Sequence, residues 1–304
     1  MAAKPTSTPA SAPSVVQLFG PRVTDDEDEI AVGLPSPTPS FAGRKADGLA
    51  ALVAPELAGR PKVWFVIGPG RSGKTTLIRY VMELVAAGSG SALAAALDPQ
   101  NRSLANFLDG VAQPPTNDAA AVARWLESLL RAMMENGTSA LLDLGGGDTS
   151  LGRVLSDVPD LAATMEGTGV APVAIYTLGP RVDDLASLAT FEAQGFQPRA
   201  TALVLNEGLT DPTVAREDAF ARVMRHSAFK AAVARGAVVL WMPRLEPSVA
   251  GEIEAKRLDF ASARDGVVAT SRTIAPLGVF DRSRVRAWMN AMDAMLAPIT
   301  AWLP

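Results

Sequence analysis

Nine consecutive residues, Gly68-Pro-Gly-Arg-Ser-Gly-Lys-Thr-Thr76, restrict the folds open to this chain more than any other stretch. They hold a glycine, four intervening residues and then Gly73-Lys74-Thr75. The continuous apolar run before them, Lys62-Val-Trp-Phe-Val-Ile67, predicts a buried strand. The stretch after them, Thr76-Leu-Ile-Arg-Tyr-Val-Met-Glu-Leu-Val85, has helical spacing. Strand, glycine-rich turn and helix in that order make a phosphate-binding loop. The glycines let the backbone close around phosphate oxygens, so that consecutive N–H groups and the helix N-terminus face the anion. Gly68, Pro69, Gly70, Arg71, Ser72, Gly73, Lys74, Thr75 and Thr76 are therefore expected to line a nucleoside triphosphate. Lys74 reaches the β- and γ-phosphates in such a loop, and the Thr75 hydroxyl ligates Mg²⁺.

Composition narrows the alternatives. The 304 residues are 48% hydrophobic and 20% charged, enough for a full core in one or two domains. The absence of cysteine excludes disulfides and thiolate chemistry, and the single histidine, His226, excludes a multi-histidine metal site. His226 is expected on the polar side of a helix. A net charge of −4 gives no global attraction to nucleic acid, so DNA contact requires a local basic patch. No apolar run spans a bilayer and the N-terminus lacks a secretory core, which points to a cytoplasmic protein.

Residues 1–45 are rich in Pro, Ser, Thr and Ala and carry the acidic run Asp25-Asp-Glu-Asp-Glu29. They are expected to form a disordered tail, in which Val15–Phe19 and Ile30–Val32 are either spacers or docking motifs. Residues 46–304 are expected to form one domain. Apolar runs at Ser91–Leu97, Thr138–Leu144, Pro172–Leu178, Thr201–Asn206 and Ala237–Met242 alternate with helical segments. That alternation predicts an α/β fold, a mostly parallel sheet with helices on both faces. The clearest helix runs from Asn117 to Asn136, capped by Asn117 or Asp118 and by Gly137. A C-terminal amphipathic helix over Asp281–Leu303 places Val285, Trp288, Met289, Met292, Leu296 and Ile299 on one face, to close the core.

In parallel sheets ligands sit beyond the carboxyl ends of the strands. The second run ends in Asp98-Pro-Gln-Asn101 and the third in Asp143-Leu-Gly-Gly-Gly-Asp148. Aspartates there suit Mg²⁺ coordination beside a γ-phosphate-sensing loop, so Thr75, Asp98 and Asp143 are the metal candidates.

This set resembles the ParA/MinD family of P-loop ATPases, of the SIMIBI class, over about residues 62–247. The resemblance implies ATP and Mg²⁺ as ligands and a role in plasmid partition or cargo positioning, with conjugative-transfer relatives of the TraL/StbB type as one branch. Asp98-Pro-Gln matches the family's switch, where the Asp positions the attacking water, and Asp143 matches its Walker B position. Leu205-Asn206 matches the strand end whose Asn contacts adenine, and Met242-Pro243 matches the loop flanking the base. The guanine-specifying Asn-Lys-x-Asp is absent, because Asn206-Glu-Gly-Leu209 lacks both the Lys and the Asp.

Typical members carry an extra lysine that reaches a dimer partner's ATP, and Pro69 occupies that position here. Arg71 either supplies the missing charge, acting catalytically in trans within an ATP-dependent homodimer, or faces solvent. The expected output is a switch that binds a protein partner or DNA, the latter through Arg216, Arg222, Arg225 and Lys230 near one helix. The same arginines suit the lid of a P-loop kinase, which is a second reading. A nucleotide-gated scaffold with negligible turnover is a third.

Overall fold

The computed structural model of the chain describes residues 55–97, 103–145, 148–268 and 273–304. The N-terminal tail, Asp98 and the rest of its Pro-Gln-Asn segment lie outside the described residues, as do Gly146 and Gly147.

Six strands form one sheet: β1 (Lys62–Ile67), β2 (Leu93–Ala96), β3 (Ala140–Leu144), β4 (Ala171–Leu178), β5 (Ala200–Asn206) and β6 (Val238–Met242). They are ordered β2-β3-β1-β4-β5-β6, and every pairing is parallel. The order reverses around β1, which puts the crevice beyond its carboxyl end. No strand separates β1 from β3, and their register sets Val66 opposite Asp143. The end of the phosphate loop's strand and the end of the Asp143 strand are therefore neighbours.

The helices are α1 (Lys74–Ala87), α2 (Ala119–Asn136), α3 (Ser150–Asp157), α4 (Leu161–Gly167), α5 (Ala186–Ala193) and α6 (Arg216–Ala219). They continue with α7 (Ala221–Arg225), α8 (Ser227–Arg235), α9 (Pro247–Lys256), α10 (Phe260–Asp265) and α11 (Val279–Leu296). Strand side chains alternate between the two faces. Trp64 and Val66 pack with α1, α9, α10 and α11. Val63, Phe65 and Ile67 pack with α2, α3, α4, α5 and α8 on the other side. Both faces of the sheet are covered, which is why its strands read as unbroken apolar runs.

Helix α2 starts and stops where its caps dictate. The Asp118 carboxylate accepts from the Ala121 N–H, and Gly137 takes the left-handed conformation at the other end. The C-terminal helix is shorter than its spacing predicts. It ends at Leu296, and Pro298 turns the chain into a 3₁₀ segment over Ala297–Trp302. Its apolar face does close the core, with Val285, Trp288, Met292, Leu296 and Ile299 buried and Met289 half-buried. Trp302 packs against β1, its carbonyl accepting from Trp64 Nε1 at 2.7 Å.

The segment carrying Arg216, Arg222, Arg225 and Lys230 is not one helix but the three short helices α6, α7 and α8. Phe220 turns inward to meet Trp241 edge-on, with ring centroids 5.7 Å apart, and an extended His226 makes the second break. His226 is thus an N-cap between helices rather than a residue on a polar helix face, its Nδ1 accepting from the Ala228 N–H at 3.3 Å.

Candidate nucleotide site

The phosphate loop leaves β1 at Gly68 and enters α1 at Lys74, and its neighbours dictate its glycines. A Cβ on Gly68 would fall inside contact distance of both the Thr177 hydroxyl and the Thr177 carbonyl. Gly73 has a φ of 99°, and a Cβ there would meet the Asn206 amide. Only glycine satisfies both the backbone and the space.

Hydrogen bonds from two strands hold the loop from below. Buried Ser72 donates its hydroxyl to Thr177 on β4 at 2.6 Å, and Thr177 donates onward to the Ile67 carbonyl at 3.3 Å. Asn206, at the end of β5, donates its Nδ2 to the Ser72 carbonyl at 2.9 Å, while its Oδ1 accepts from Gly208 N at 2.8 Å. Asn206 is therefore set beneath the loop. Sequence reasoning missed Thr177, although a polar residue near the carboxyl end of the apolar strand APVAIYTL was the available signal.

At the mouth, Lys74 is buried and its Nζ donates to the carbonyls of Gly68 and Pro69, both at 2.9 Å. This curls the lysine across the loop, over the hollow that phosphate oxygens would fill. Thr75 donates its hydroxyl to the Asp143 carboxylate at 3.2 Å. A hydroxyl and a carboxylate side by side are the hard oxygen donors that Mg²⁺ takes, and two protein ligands suffice because Mg²⁺ keeps several waters. These residues fit the ion. Among the described residues no cluster of three or more Asp, Glu or His could hold a metal by itself.

Arg71 is exposed and adopts a left-handed φ of 64°, which a non-glycine residue seldom takes. Pro243 follows Met242, whose Sδ would lie 3.4 Å from a Cβ on Gly73. Pro243 lines a separate groove of about 450 Å³ with Trp241 and Arg216 along edge strand β6, and its carbonyl accepts from Trp288 Nε1 at 3.0 Å. Arg244, just after β6, ties down the segment after β5 by donating to the carbonyls of Glu207 and Thr210. Arg216 is held by Glu207 and Glu217 and lies over the Trp241 ring, so it is not part of an open basic cluster. Arg222, Arg225 and Lys230 are exposed.

The cleft at the loop measures about 480 Å³. Beyond the loop and Asp143 it is lined by Arg79, Asn106, Phe107 and Glu254, residues that carry no motif. Arg79, on α1, is buried between the rings of Phe107 and Phe260, at 3.8 and 4.7 Å from their centroids. Burial lowers its pKa from the usual guanidinium value, against the attraction of Glu83, Glu254 and Asp259.

No protein-family model matches this sequence, and neither does any curated protein. Solved structures similar to it include chloroplast FtsY from Physcomitrella patens, at 14% identity and a TM-score of 0.38 over 79% of this chain and 68% of that one. The signal recognition particle receptor FtsY from Elizabethkingia anophelis is similar at 14% identity and a TM-score of 0.38, over 79% of this chain and 69% of its own. The fold class itself is visible in the chain: a parallel α/β sheet carrying a phosphate loop at the carboxyl end of its central strands.

Proposed function

We propose that the protein is an ATP-binding and ATP-hydrolysing switch of the ParA/MinD kind, using Mg²⁺ and acting in plasmid partition, conjugative transfer or intracellular positioning. The observation that supports it is the convergence of Lys74, Thr75 and Asp143 at the ends of the adjacent strands β1 and β3. Lys74 exchanges its loop carbonyls for β- and γ-phosphate oxygens, and Thr75 and Asp143 hold Mg²⁺ directly or through water. Bound Mg²⁺ neutralises charge on the transferred phosphoryl group. Asp98 orients the attacking water. Adenine is favoured because Asn206-Glu-Gly-Leu209 has neither the Lys nor the Asp of the guanine-specifying Asn-Lys-x-Asp.

An ATP-dependent homodimer completes this reading, with Arg71 supplying positive charge across the interface. Its support is that a solvent-exposed arginine held at positive φ stores strain in the loop, as functional positions do. Arg222, Arg225 and Lys230 form the basic surface for DNA, or for an acidic protein partner. Among the described residues no helix is long and apolar enough to cross a membrane.

Phosphate release from Mg·ATP, with and without DNA, tests the proposal. Release is expected from the wild type and is suppressed in Asp98→Ala with ATP binding intact. Light scattering is expected to show a dimer with ATP that Arg71→Ala weakens. Binding without release under every condition would replace the ATPase with a nucleotide-gated scaffold. One observation favours transfer to a small acceptor as a second reading: the cleft continues past Thr75 to Arg79 and Glu254.

A further inference from the structure

We propose that the cleft binds a second small molecule beside the nucleotide, one bearing a carboxylate or phosphate that Arg79 recognises, in a compartment made by Arg79, Asn106, Phe107 and Glu254. This rests on the phosphate-loop reading of the same cleft and goes beyond it.

Arg79 is only 4% exposed, yet among the described residues its guanidinium makes one hydrogen bond, from Nη2 to the Leu258 carbonyl at 2.9 Å. A guanidinium has five N–H donors, and buried charges are ordinarily paired. Glu83, Glu254 and Asp259 attract it, but none forms an ion pair with it among the described residues. Glu83, one turn further along α1, accepts from the N–H groups of Phe260 and Ala261 at 2.8 and 3.1 Å. Asp259 accepts from the N–H and hydroxyl of Ser262 at 2.6 and 2.7 Å. Glu254 lies on the exposed rim of the cleft and attracts Arg79 without forming an ion pair.

The aromatic rings fix what remains. Phe107 and Phe260 lie against the guanidinium and orient it, which leaves its N–H edge for polar partners. Part of that edge goes to Leu258, and Arg79 lines the cleft. A planar fork of donors in a partly desolvated pocket is suited to a bidentate oxyanion. Arg79 follows Thr75 by four residues on α1, so the two share a helix face and the oxyanion site adjoins the metal-binding hydroxyl. Glu254 across the rim suits a ligand whose remainder is neutral or cationic.

The test loads the protein with Mg²⁺ and a non-hydrolysable ATP analogue, which fills the phosphate loop, and then titrates inorganic phosphate or malonate by calorimetry. Saturable binding of one anion to a single site is expected, and the preferred anion identifies the ligand as a phosphate or a carboxylate. Arg79→Gln is expected to weaken it about tenfold, the loss of a charge-assisted contact, with analogue affinity retained. Glu254→Gln, on the exposed rim, is expected to tighten it, and this variant keeps the test decisive if Arg79→Gln does not fold. No saturable binding of either anion by the loaded wild type overturns the proposal. So does unchanged affinity in both variants, the result if Arg79 only ties α1 to Leu258. Failure of the analogue itself to bind overturns the nucleotide reading, and this compartment with it.

Discussion

The two ends of the cleft are built by different means. At the loop, Gly68, Pro69, Ser72 and Lys74 are held by hydrogen bonds to β4, β5 and the loop's own carbonyls, at 2.6 to 2.9 Å. At the far end, behind Arg79, the rings of Tyr80, Phe260 and Trp288 pack edge-on or tilted with centroids 4.8 to 6.1 Å apart, and Arg79 leans on Phe260. Directional bonds fix atoms to within tenths of an ångström, which a triphosphate requires. Aromatic packing fixes shape and excludes water, and makes any charge left inside it costly. The first end fixes polar atoms in place, and the second encloses a buried cation.

Changes at the loop end should be severe and local. Lys74→Ala removes the cation aimed at the β- and γ-phosphates and should lower nucleotide affinity by about a hundredfold or more. Micromolar binding retained in calorimetry would mean that this end is not the phosphate site. Gly68→Ala should push the loop off β4 and lower stability by about 2–3 kcal/mol, read by denaturant unfolding. A well-folded Gly68→Ala protein with full affinity would show the loop to be looser than its hydrogen bonds suggest. Thr177→Val removes the Ser72 partner but keeps the side-chain volume, and should cost about 1–2 kcal/mol.

The far end should answer more weakly, and through pH. Burial raises the Glu83 carboxyl above its ordinary range, although the Phe260 and Ala261 N–H groups pull it back. An acid whose folded pKa is raised binds more protons folded than unfolded, so its contribution to stability falls as pH rises from about 4.5. Glu83→Gln keeps an acceptor for the α10 N–H groups and should flatten that dependence, with a change of about 1 kcal/mol or less at neutral pH. An unchanged slope would place the titration elsewhere.

What could be read from the residues follows the same division. Lys74, Thr75 and Asp143 were legible because a phosphate loop fixes its spacing within one strand-turn-helix unit, and Asp143 ends an apolar run. Strand positions were legible to within about two residues, since a sheet covered on both faces leaves continuous apolar runs. Arg79, Phe107 and Glu254 come from α1, the turn after Ser103–Asn106 and α9, and only tertiary packing brings them together. The one local sign was a charged residue inside the apolar run Leu77-Ile-Arg-Tyr-Val81. The breaks among α6, α7 and α8 were hidden because Phe220 turns inward to a partner, Trp241, on a distant strand.

Everything proposed for this protein depends on the loop at Lys74 binding a nucleoside triphosphate with Mg²⁺. Calorimetric titration of the wild-type chain with ATP, ADP and GTP, each with and without Mg²⁺, tests it most directly. One site per chain is expected, with ATP bound more tightly than GTP and an affinity that falls when Mg²⁺ is withheld. No heat of binding with any of the three nucleotides would contradict it.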